Sequence, residues 1–106
     1  EMVIETGETV RVFYAVGGPN LLSSFHAIGS VWDTVYRQGA FASTPDQYVQ
    51  TTPVLPGSSA VVTATFPVPG DYKLVDHALS RVARKGALAV IRADGPENPE
   101  IFDPEE

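Results

Sequence analysis

Apolar residues in this chain recur at every second position over short runs, and turn-forming residues break those runs at short intervals. That pattern admits β-strands and little else, because side chains alternate between the two faces of a strand. Ser59 to Phe66 carries it most cleanly, with Ala60, Val62, Ala64 and Phe66 on the inward face and Val61, Thr63 and Thr65 on the outward one. In Thr9 to Val16 the residues Val10, Val12, Tyr14 and Val16 form an apolar face and Arg11 interrupts the other, as in a half-buried strand. Ser23 to Ile28 and Val31 to Tyr36 are β-branched or aromatic runs joined by Gly29-Ser30, which predicts a hairpin with a tight turn. Tyr48 to Leu55 contains Pro53, which cannot donate to a ladder, so an edge strand or an irregular crossing is expected. Tyr72 to Val75 and Ala87 to Arg92 complete roughly seven strands.

Turn signals at Gly17-Gly18-Pro19-Asn20, Gly39, Pro56-Gly57, Pro69-Gly70 and Gly86 punctuate these runs, and the spacing predicts an all-β sandwich or small barrel. Helical spacing occurs once. Leu79, Val82 and Ala83 share a face, Arg84 and Lys85 follow in a last turn, and Gly86 supplies a stop, so a short helix is expected near residues 79–85.

At 106 residues and 43% apolar content the chain suits one domain with a real core. It has no cysteine, which excludes disulfides, thiolate metal sites and cysteine nucleophiles without identifying a redox compartment. No apolar run reaches the ~20 residues of a membrane helix, and no leader of the secretory kind is visible. The net charge of −6 is concentrated at one end: residues 1–93 hold seven acidic and seven basic side chains, whereas residues 94–106 hold six acidic and none basic. A neutral body offers no basic face to displace counterions from phosphates, so a nucleic-acid partner is not expected. The organisation expected is a domain over residues 1–95 and an acidic, Pro-rich tail over 96–106, solvated or docked on another chain through Ile101-Phe102.

The chain has two histidines, His26 and His77. Imidazole is the commonest transition-metal ligand and the side chain whose unperturbed charge change falls nearest neutrality. Two make half a metal site at best. If Tyr72 and Leu74 point inward, period two sends Lys73, Val75 and His77 outward, beside Ala78 and Leu79, where an apolar patch could meet another protein surface. For His26, between Phe25 and Ala27, residue chemistry alone favours a half-buried strand histidine bonded to a turn. Asp33, Asp71 and Asp76 are the acids nearest the histidines in sequence, and turn or capping duty accounts for Asp71. No carboxylate cluster, Gly-rich phosphate loop or Ser–His–Asp spacing stands out.

Two longer words carry more. The stretch from Gly18 to Gly29, read with Trp32-Asp33-Thr34-Val35-Tyr36, and the stretch from Pro69 to Arg81, followed by Lys85-Gly86-Ala87-Leu88, closely resemble the second (C-terminal) cupredoxin domain of copper-containing, NO-forming nitrite reductases. The likeness runs from about Gly7 to Gly95, in correct order. It implies a Greek-key cupredoxin-like β-sandwich. It also implies a parent enzyme of denitrification, a homotrimer of two-domain subunits whose type 1 copper and its cysteine lie in the first domain, which would explain the missing cysteine here. The type 2 copper of that family lies between subunits, held by two histidines of one subunit's first domain and one of its neighbour's second domain.

By this resemblance His77 is the third copper ligand and His26 is the catalytic histidine that relays protons to nitrite with an aspartate of the first domain. Ile28 crowds the nitrite-binding face, Leu79 lines the same pocket, and Thr52 helps to orient His26. Copper with three imidazoles and one open position can exchange water for nitrite, and a histidine titrating near neutrality can supply a proton. The implied partners are the first cupredoxin domain, the neighbouring subunits and nitrite, in a periplasmic or cell-surface setting. The chain alone, as an excised domain or separate subunit, is expected to be inactive. The rival reading is a metal-free cupredoxin-like binding or assembly module. A laccase-type multicopper oxidase domain is disfavoured because it would carry a His-X-His or His-Cys-His run, and none exists here.

Overall fold

A computed structural model describes residues 2–17, 21–77 and 88–101, with the side chain of Leu88 left out. Within them lie nine strands: β1 (Met2–Glu5), β2 (Thr9–Val16), β3 (Ser23–Ala27), β4 (Trp32–Arg37), β5 (Asp46–Val49), β6 (Thr51–Val54), β7 (Ser58–Thr65), β8 (Gly70–Asp76) and β9 (Leu88–Asp94). They form a five-stranded sheet in the order β1-β9-β8-β3-β6 and a four-stranded sheet in the order β2-β7-β4-β5. All pairings are antiparallel except β1 with β9. The expected all-β sandwich is what forms. The short helix expected near residues 79–85 lies outside the described residues.

Alternation decides which residues meet between the sheets. Ala60, Val62 and Ala64 of β7, and Phe66 just past it, are buried in the core with Val35 of β4 and Ile91 of β9, as their period-two spacing predicts. Three aromatic rings tie the sheets together: Tyr14 stacks on Phe25 with centroids 3.9 Å apart, and Phe25 on Trp32 at 4.9 Å. Trp32 is fully buried, and its indole N–H donates to the Phe25 carbonyl at 3.1 Å, so the ring is apolar packing with its one polar atom satisfied. Tyr72 donates its hydroxyl to the Val68 carbonyl at 2.6 Å. Burial pushes this phenol above its ordinary value, against the opposing effect of that bond.

One sequence expectation is corrected. The Gly29-Ser30 turn does not close a hairpin: β3 pairs with β6 and β8 in one sheet, whereas β4 pairs with β5 and β7 in the other. The turn is tight, with Ser30 N–H on the Ala27 carbonyl at 3.1 Å and Gly29 at φ 86°, but it carries the chain across the sandwich because both runs bury a face against the same core. The run from Tyr48 to Leu55 is the edge strand and crossing that Pro53 predicts: it takes in the end of β5 and all of β6, the edge strands of different sheets, with Gln50 alone between them. The Met2–Glu5 strand has no apolar alternation long enough to announce it and exists through its parallel pairing with β9.

Strand β5 contains a strained residue. Tyr48 sits at φ 55°, in the left-handed region that a bulky side chain rarely adopts, and the ladder between β4 and β5 pairs Trp32 with Val49 and Thr34 with Gln47. Its side chain is 75% exposed, so little packing compensates the strain. Asn tolerates this conformation. Tyr48→Asn is therefore expected to stabilise the fold by about 1 kcal/mol, at the low end of the cost of such backbone strain, read as a rise of a few degrees in a thermal melt. A lowered melting temperature would show that the exposed ring contributes more than the strain removes.

Candidate functional site

The register of the five-stranded sheet brings the two histidines together. His26 lies on β3 between buried Phe25 and Ala27, so its half-buried ring belongs to the outer face of the sheet. It stands opposite Val75 of β8 on one side and Thr51 of β6 on the other. His77 follows β8 directly, and its N–H donates to the Ser24 carbonyl at 2.8 Å, which places it diagonally across from His26. The ring centroids are 5.2 Å apart at an interplanar angle of 73°. Tyr72 and Leu74 are buried in the core, whereas Lys73 and His77 are exposed, so the outward phase read from the sequence holds for these two; Val75, of the same phase, is covered at 2% exposure without joining the core cluster.

The His26 ring is held from the strand crossing. Its Nδ1 lies 2.5 Å from the Gln50 carbonyl oxygen, and the Thr51 hydroxyl oxygen lies 3.4 Å from the same nitrogen. A carbonyl only accepts, so Nδ1 carries the hydrogen and Nε2 is left for other chemistry. Gln50 can offer this carbonyl because it stands between β5 and β6, where neither ladder claims it as a strand residue. Together with Gly29, Ser30, Val31 and Pro67, His26 and Gln50 border an open depression of about 520 Å³.

Ile28, two positions beyond His26 on the same outward phase, is 44% exposed, and its N–H donates to the Lys73 carbonyl at 2.8 Å. Thr52 goes the other way. It is buried, stands opposite Phe25, and its hydroxyl is 3.5 Å from the Pro53 carbonyl. The structure therefore gathers His26, His77 and Ile28 on one face and turns Thr52 to the inner one, while Leu79 lies outside the described residues. The groups at His26 that sequence reading did not pick out are Gln50 and Thr51. Period two alone would have paired Thr51 with Pro53 on one face and Thr52 with Val54 on the other, but which face meets His26 follows only from the β3–β6 pairing.

Among the described residues, no group of three or more His, Cys, Asp or Glu side chains could hold a metal ion. The donor set nevertheless fits part of one: His77 presents an exposed imidazole at a strand end, while the Nδ1 of His26 is already committed to Gln50. A transition metal here would need its remaining ligands from elsewhere. Among the described residues, no helix is long and apolar enough to cross a membrane.

No established family profile matches the chain. The copper-containing nitrite reductase of Neisseria meningitidis serogroup A is 47% identical over 98 residues, which cover 92% of this chain and 25% of that protein. Among solved structures, a copper nitrite reductase from Nitrosomonas europaea superposes with a TM-score of 0.81 at 35% identity, covering 93% of this chain and 34% of the other. A multicopper oxidase shares the fold at a TM-score of 0.75 and 22% identity, covering 88% of this chain and 32% of its own. The chain spans about a quarter of the length of the curated relative it matches. By sequence and by fold it is a cupredoxin domain of the copper-containing nitrite reductase family.

Proposed function

We propose that this chain is the second cupredoxin domain of an NO-forming nitrite reductase, with residues 1–95 as the domain and 96–106 as its acidic tail. In this reading it works within a homotrimer, in the periplasm or at the cell surface, and builds one side of a type 2 copper site shared between subunits. The observation that carries the proposal is the His26–His77 pair, exposed on one sheet face with ring centroids 5.2 Å apart.

The reaction adds one electron and two protons to nitrite and yields NO and water. Copper, when bound, supplies the electron and polarises the anion. His77 holds one coordination position. His26 moves a proton at Nε2, because Nδ1 is kept protonated by the Gln50 carbonyl. Ile28, and with it Leu79, presents apolar surface that limits how nitrite sits and keeps competing water away. Orientation of His26, expected of Thr52, falls in this reading to the Gln50 carbonyl and the Thr51 hydroxyl, since these are the groups that reach the ring.

The type 1 copper, the other two type 2 ligands and the relay aspartate are assigned to the companion domain. The test uses the full-length protein loaded with copper and supplied with a reductant: nitrite-dependent NO release is expected from it, and none from this chain alone. A correctly assembled, copper-supplied protein that makes no NO would sink the proposal. It would leave the metal-free assembly module as the reading that stands.

A further inference from the structure

The strand end that carries His77 is not held by an ordinary ladder. In an antiparallel pair that is hydrogen-bonded, the two residues exchange both N–H···O=C bonds. Between Ser24 and residue 77 only one of these is made by the backbone, from His77 N–H to the Ser24 carbonyl at 2.8 Å. The Ser24 N–H goes instead to Oδ1 of Asp76, at 3.0 Å. Asp76 is 4% exposed and stands opposite Phe25, so its carboxylate takes the position on β3 that the carbonyl of residue 77 would otherwise occupy. The backbone can thus leave the sheet at His77 while the residue stays pinned through its own N–H.

We propose that Asp76 is a positioning residue for His77. Its carboxylate and the amide of residue 77 grip both backbone polar atoms of Ser24, and this double hold sets the His77 ring against His26 at 5.2 Å. A carboxylate accepting a backbone N–H at a buried position is among the stronger hydrogen bonds available to the chain. Without it, residue 77 would hang from a single bond at the end of β8. The proposal rests on the reading of His77 as a copper ligand, and it concerns how that ligand is aimed.

The test compares Asp76→Ala, Asp76→Asn and His77→Ala in the full-length protein, using amide hydrogen exchange of the metal-free form and the electron paramagnetic resonance signal of type 2 copper after loading. Asn keeps an oxygen acceptor; Ala removes it. For Asp76→Ala, exchange at residues 24 and 77 is expected to rise about tenfold, and affinity for type 2 copper to fall by about 10-fold or more, with type 1 copper unchanged. Asp76→Asn is expected to stay near wild type in both readouts. Unchanged exchange in Asp76→Ala overturns the proposal, and so does faster exchange with undiminished type 2 copper while His77→Ala is empty. If Asp76→Ala does not assemble, a folded Asp76→Asn that loses type 2 copper overturns it equally. Retention of type 2 copper by His77→Ala identifies a different failure, that of the ligand reading itself.

Discussion

Replacing His77 with alanine in the full-length protein is expected to empty the type 2 copper site, leave the blue type 1 centre coloured and reduce nitrite turnover to background. Partners that merely orient a ligand are worth about 10–100-fold in metal affinity, and loss of one of three coordinating imidazoles should exceed that. The fold should barely respond. The His77 side chain is exposed, and the bond that ties residue 77 to Ser24 comes from the backbone, which alanine retains. A stability change within about 0.5 kcal/mol is therefore expected, as for an exposed surface substitution. The decisive measurement is the copper resonance spectrum beside a copper count. A type 2 signal of wild-type intensity would remove His77 from the site.

His26→Ala should behave differently, and the contrast separates a ligand from a proton carrier. Both coppers are expected to remain, because the Nδ1 of His26 is spent on the Gln50 carbonyl and its proposed role is at Nε2. Turnover should fall by roughly 10²–10⁴-fold, the range for losing a positioned general acid. The pH profile of the remaining activity should also change, since the proposed proton carrier is gone. Loss of copper together with activity would make His26 a structural or ligating residue instead. Activity near wild type would end the relay assignment. The Gln50 carbonyl left behind lies on residues open to solvent and can be hydrated, so unfolding is not the expected cause of the loss.

Much of this face was legible before any coordinates. The outward phase of His77 followed from Tyr72 and Leu74 alone, because a β-strand has a fixed period of two and the core claims one face. The inward set Ala60, Val62, Ala64 and Phe66 was legible for the same reason. Val61 shows where that reasoning stops: it has the outward phase, yet it is 3% exposed between Phe13 of β2 and Tyr36 of β4, since phase gives a direction and neighbours decide cover. The predicted hairpin at Gly29-Ser30 failed because a tight turn looks the same whether it joins partners in one sheet or passes a chain between two.

Alternation and turn residues by themselves determined that the chain is an all-β sandwich or small barrel, which side chains point toward its core, and that His77 faces away from it. These are local properties, set by a two-residue period and by the backbone preferences of glycine and proline. That His26 and His77 meet, that the Gln50 carbonyl and the Thr51 hydroxyl reach His26 while Thr52 turns inward, and that Asp76 takes the Ser24 amide were decided only by the tertiary structure. Each depends on which strands lie side by side and in what register, and that choice is made by burying both sheets against one shared core, which no single segment of the chain encodes.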